Sequence, residues 1–165
     1  MTTALWKRNA IGAAVTVVAL AVFIGFYLYP QWSAYRQTVT PAHMVAAGES
    51  AQIDGVTWRV TGVRHLTPNA GFGLAPPAKT VLAVVSVERI GAGPGASCVG
   101  VLTDGTRRWR AQVVGVYTVP TPDGVSGDCS KPGPLQFTFV LPQDAVPTAV
   151  DVTTYSGQIM VRLEL

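Results

Sequence analysis

At 165 residues the chain has room for one domain of ordinary size, given about 100–200 residues per domain. Apolar residues make up 48% of it and charged residues 13%, which excludes a disordered chain. The formal charge of +3 comes from Lys7, Arg8 and Arg36, because from His43 onward nine basic residues balance nine acidic ones. The pI of 9.1 therefore marks no basic patch of the kind that nucleic acid binding needs.

Ala10 to Tyr29 carry no charge and no proline. In a helix they span about 30 Å, the hydrocarbon thickness of a bilayer. Trp6 stands before this run, and Tyr27, Tyr29, Trp32 and Tyr35 close it, as rings that prefer the headgroup layer do. The pattern predicts a transmembrane helix over 10–29, with Pro30 at its exit. Lys7 and Arg8 precede the span, so positive-inside bias keeps residues 1–9 as a cytoplasmic tail and sends the rest outside. Arg36 weakens that asymmetry without reversing it. The apolar run exceeds the roughly 7–15 residues of a signal-peptide core. The best small-residue site, Thr40-Pro41-Ala42, lies well past the run and carries a proline, and no Cys follows the run to take a lipid. An uncleaved signal anchor is expected. On a helical projection Ala10, Ala14, Val17, Ala21 and Gly25 share one face, a candidate seam for packing on another membrane helix.

Residues 30–48 lack a strong period and read as a juxtamembrane spacer, with Gln31 to Val39 able to extend the helix by a turn or two. An extracytoplasmic domain over 49–165 follows. There the period switches to two: Val56, Trp58 and Val60 alternate with Thr57, Arg59 and Thr61. Val81 to Val87 is a near-continuous apolar run, as in a central strand. Further strands are expected at Cys98–Thr103, Thr106–Val119, Leu135–Leu141, Ala149–Tyr155 and Gln158–Leu165. Turn-rich clusters separate them at Pro68–Pro77, Gly91–Gly95, Pro120–Pro134 and Pro142–Pro147. Seven or more short strands with turns between them predict an all-β, immunoglobulin-like antiparallel sandwich behind one N-terminal transmembrane helix.

Asp104-Gly105 has the composition of a two-residue type I′ turn, which would pair Thr103 with Thr106, Leu102 with Arg107, Gly100 with Trp109 and Cys98 with Ala111. Trp109 would then fill the space above Gly100. Cys98 and Cys129 are the two cysteines of the chain, and outside the cytoplasm such a pair reads as a disulfide. A redox pair would more often show Cys-x-x-Cys spacing, and a metal site would need more ligands nearby.

Gly55-Val56-Thr57-Trp58-Arg59-Val60 opens this domain, and a Pro/Gly-rich loop precedes Val81-Leu82-Ala83-Val84-Val85-Ser86-Val87. Cys98 and Val101-Leu102-Thr103-Asp104-Gly105-Thr106-Arg107 come next, then Cys129, then Pro134 to Pro142 and a final pair of strands. This order resembles the telokin-like, immunoglobulin-like extracytoplasmic domains of actinobacterial cell-envelope proteins. The resemblance covers about residues 48–165 and rests on strand order. It departs from the lipoprotein members in carrying a membrane helix where they carry a lipidated Cys. It implies the fold and no activity.

The residues offer little chemistry. His43 lies in the spacer and His65 at a strand end, and no Gly-x-Ser-x-Gly elbow exists. Gly71-Phe72-Gly73 is too short for a nucleotide fingerprint. The acidic residues are scattered; Asp123 and Asp128 share a loop but are too sparse for a hard cation. No catalytic residue, cofactor or metal is expected. Arg107, Arg108 and Arg110 surround Trp109, and Arg108 and Arg110 share one face. They are a candidate docking patch for something anionic, against the plainer role of long side chains covering apolar strand surface. Two functions fit. One is a single-pass, membrane-integral, non-catalytic accessory protein with a protein partner in a cell-envelope complex. The other is a tethered binding module for a small molecule, lipid or glycan. An apolar pocket between the sheets, or beneath the 68–79 loop, would favour the second, and a closed core the first.

Overall fold

The computed structural model describes residues 2–66, 76–91, 97–112, 117 and 119–165, with the side chain of residue 6 and those from residue 9 onward. The turn-rich stretches 67–75 and 92–96, including Gly71-Phe72-Gly73, lie outside the described residues, as do 113–116 and 118 of the strand expected at Thr106–Val119. The chain divides into two units, with the boundary between Val39 and Thr40.

The first unit is helical from Thr2 onward: α1 over Thr2–Phe23, a π-helical turn over Ile24–Leu28, and α2 over Tyr29–Val39. Pro30 does not end the helix. Its ring has no N–H and would crowd the carbonyl of Phe26 in a regular α-helix. The chain answers with a wider turn just ahead, where the Tyr29 N–H donates to the Ile24 carbonyl five residues back. Asn9–Val39 is long and apolar enough to cross a membrane, with a window of mean hydropathy 2.4, and none of that window is buried within the protein.

The second unit is a two-sheet sandwich. Its strands are β1 Met44–Val45, β2 Ser50–Ile53, β3 Val56–Leu66, β4 Thr80–Ile90, β5 Cys98–Thr103, β6 Arg108–Arg110, β7 Leu135–Pro142, β8 Ala149–Thr154 and β9 Ile159–Glu164. One sheet runs β1-β9-β8-β5-β6 and the other β2-β3-β4-β7. The orders β9-β8-β5-β6 and β3-β4-β7 are those of strands G-F-C-C′ and A-B-E of an immunoglobulin sandwich. All named pairs are antiparallel except β1 with β9, where Met44 and Val45 lie opposite Arg162 and Leu163. Part of the expected spacer over 30–48 is thus helix, and part is a sheet edge.

Period-two patterning sets the core. Ala83, Val85 and Val87 of β4, with Phe137 and Phe139 of the neighbouring β7, form one core with Leu102 of β5 and Val150 and Val152 of β8 in the other sheet. Each large side chain sealed this way contributes about 1.5–3 kcal/mol. Gly100 is required by this packing, because a Cβ there would lie 2.5 Å from the Phe137 ring. It is Phe137, and not Trp109, that fills the space over Gly100.

The β5–β6 hairpin differs from its expected register for a local reason. Asp104 accepts the N–H groups of Thr106 (3.0 Å) and Arg107 (2.6 Å), and Thr103 Oγ1 accepts that of Gly105 (3.0 Å). These side-chain bonds close a loop over 104–107, so Thr103 pairs with Arg108 and Leu102 with Trp109. The shift is two residues, so Arg108 and Arg110 still share a face. Strand β6 is also shorter than expected. The Ala111 N–H donates to Gly100 in one sheet, and the next N–H, of Gln112, donates to Thr138 in the other, each at 2.8 Å. The chain changes sheets in a single step.

Candidate functional site

The sheets do not close completely at the edge formed by β1, β9, β2 and β3. Asp54 and Gly55 make a tight turn with φ of 50° and 77°, pairing Ile53 with Val56. That turn and the alternation beyond it place Ile53, Asp54, Val56 and Trp58 on one wall of a cleft. The other wall is Met160 and Val161 of β9, with Ala42 and His43 from the segment entering β1. His43 is fixed by its backbone, whose carbonyl accepts the Arg162 N–H at 2.9 Å, and the residue is exposed. The cleft measures about 310 Å³, at the small end of ligand pockets.

Trp58 is 5% exposed and is supported from within the domain. The Arg89 guanidinium lies 6.0 Å from its ring centroid. Arg89 continues the inward-facing series Val85, Val87 on β4 and is itself buried. It donates to the carbonyls of Gly133 (3.2 Å), Cys129 (3.4 Å) and Lys131. Burial pulls its pKa down, offset in part by the charge of Asp128. The same loop carries the disulfide: Cys98 at the start of β5 is bonded to Cys129, Cα to Cα 5.1 Å. It does not join the B- and F-equivalent strands β4 and β8; it ties β5 to the segment ahead of β7.

The Arg108/Arg110 patch lies on the outer face of the five-stranded sheet. Across that face Arg110, Val101, Asp151, Arg162 and Met44 stand in register. The Asp151 side chain is 0% exposed, clamped by Arg162 at 2.6 and 2.8 Å and by Arg108 at 3.1 Å. The Asp151 hydrogen bond pushes the Arg162 pKa up. Arg108 is thus committed to an internal ion pair, while Arg110 is exposed.

Other residues singled out by sequence are not brought into a site. His65 is exposed on β3, and Asp123 is exposed in its loop. The Asp128 carboxylate is held below its usual range by hydrogen bonds from Ser130, and Ser126 adds another. Among the described residues no three His, Cys, Asp or Glu side chains gather as a metal site would require. Ala10, Ala14, Val17, Ala21 and Gly25 are all exposed on the helix. The cleft itself was missed by sequence reasoning, although Asp54-Gly55 between two short alternating runs was a hairpin signal.

No protein-family model matches the chain, and no curated protein matches it. Among solved structures it is similar to an uncharacterized β-sandwich protein from Clostridium difficile 630. The two are 12% identical, over 74% of this chain and 93% of that one, with a TM-score of 0.37.

Proposed function

We propose that the chain is a single-pass, membrane-anchored accessory protein that presents its sandwich outside the cytoplasm as a non-catalytic partner in a cell-envelope complex. The observation that carries this reading is the helix Asn9–Val39, long and apolar enough to cross a membrane, with no buried residue in its most apolar window. An apolar surface of that length needs lipid or another helix around it. The bonded Cys98–Cys129 pair supports an oxidising compartment for the sandwich. The resemblance to telokin-like envelope domains of actinobacteria belongs to the same reading.

The helix face of Ala10, Ala14, Val17, Ala21 and Gly25 is the docking surface within the bilayer, since small residues let backbones approach. Apart from the backbone of its own helix and its chain neighbours, no atom of the described residues lies within 4 Å of where a Cβ on Gly25 would sit. Changing Ala14, Ala21 and Gly25 to Leu keeps the span apolar and fills that seam. Partners retained by the unaltered chain in mild detergent are expected to be lost, with the disulfide intact. Undiminished retention would remove the helix from the interface. A second reading, a tethered binding module, is favoured by the cleft beside Trp58.

A further inference from the structure

We propose that the cleft between β1/β9 and β2/β3 binds a small amine with an apolar body and a hydrogen-bond acceptor at the end remote from the nitrogen. This rests on the binding-module reading and gives it a ligand class. Three observations converge. The walls of Ile53, Val56, Met160 and Val161 are apolar, so the body of the ligand must be too.

The Trp58 indole N–H has no hydrogen-bond partner among the described residues, on a side chain 5% exposed. Every fully buried side-chain nitrogen and oxygen among those residues does have one. Trp58 lines the cleft, so its indole N–H is the donor offered to an acceptor on a ligand there.

The third observation is the charge at the rim. Asp54 forms no ion pair or side-chain hydrogen bond among the described residues, and it lines the cleft. A free carboxylate there favours a cation and disfavours an acid. The volume of about 310 Å³ suits a single ring or a short chain. Tyramine has the required parts: a phenol oxygen to accept, a ring, and an ammonium group at the far end.

The test uses the full chain in phosphatidylcholine nanodiscs, which carry no net charge to attract the amine. The readout is the indole N–H resonance of Trp58, assigned by comparison with Trp58→Phe. Tyramine is expected to shift this resonance saturably and leave Trp109 unmoved. Phenethylamine, without the acceptor, should bind about threefold more weakly. 4-Hydroxyphenylpropionate, with a carboxylate in place of the amine, should bind more weakly still. Asp54→Asn should weaken tyramine by about threefold, as expected for an exposed charge pair. Ala42→Trp should plug the cleft and abolish the shift. Equal or tighter binding of the carboxylate would overturn the amine class and leave a binding cleft standing. No saturable Trp58 shift with any of the probes would overturn the cleft as a binding site altogether.

Discussion

At the scale of single residues, buried charge is where this sandwich is most sensitive. Asp151 is sealed on the outer face of its sheet only because Arg162 and Arg108 cover and bond it. Removing the carboxylate leaves Arg162 half-sequestered without its partner. Asp151→Ala is therefore expected to lower stability by about 3 kcal/mol, read as a fall in the denaturation midpoint. Arg108→Gln leaves the bidentate Arg162 pair intact, and Arg108 is 37% exposed, so its cost should stay under about 1 kcal/mol. Asp104 gives a pH prediction. Hydrogen bonds from the Arg107 N–H and side chain, and then from Thr106, hold its carboxyl well below the usual range. A depressed carboxylate contributes stability that is present above its ordinary pKa of about 3.9 and lost as pH falls through the lower folded value. The Arg107 amide resonance should thus keep its neutral-pH position at pH 3.5 and move only in stronger acid. Movement centred near 4 would show that the loop is not closed by this carboxylate.

At the scale of elements, packing at Gly100 decides how the sheets meet. Gly100→Ala would drive a methyl group into the Phe137 ring, which is 1% exposed and has nowhere to go. The expected loss is about 1–3 kcal/mol, from overpacking, by chemical denaturation. Elements also show what the sequence could and could not reveal. The inner face of β3 was legible because Val56, Trp58 and Val60 alternate, and β4 and β7 because their apolar runs are bounded by turn residues. Two of the three Asp-Gly pairs, at 54–55 and 104–105, show where such reading stops. At 54–55 the pair makes the tight turn its composition suggests, whereas at 104–105 the Asp104 side chain captures two backbone donors and widens the loop. Side-chain capture of that kind competes with the backbone turn and leaves no trace in hydrophobic period. Strand β1 was hidden for a similar reason: at Met44–Val45 it is too short for any period, and its partner β9 lies at the other end of the chain. The cleft was hidden with it, since β1 and its approach form one wall.

At the scale of the whole molecule, the fold accounts for how a small sandwich holds its long loops. The disulfide and the Arg89 guanidinium both fasten the 129–133 segment, one covalently to β5 and the other from β4. Closing a loop of 31 residues adds about 3–4 kcal/mol in the chain-entropy model. That gain exists only where thiols stay oxidised, which links the covalent structure to the proposed compartment. The central claim is therefore one of topology: helix in the membrane, sandwich outside, N-terminus inside. The chain's lysines allow a direct measurement, because they are Lys7 ahead of the apolar span and Lys79 and Lys131 in the sandwich, the latter two exposed. Intact cells producing the full chain would be treated with a membrane-impermeant amine reagent, and the modified lysines identified by mass spectrometry. The account predicts labelling of Lys79 and Lys131 on intact cells, with Lys7 modified only after the membrane is opened. Labelling of Lys7 with Lys79 and Lys131 protected, or recovery of the chain in the soluble fraction, would contradict it.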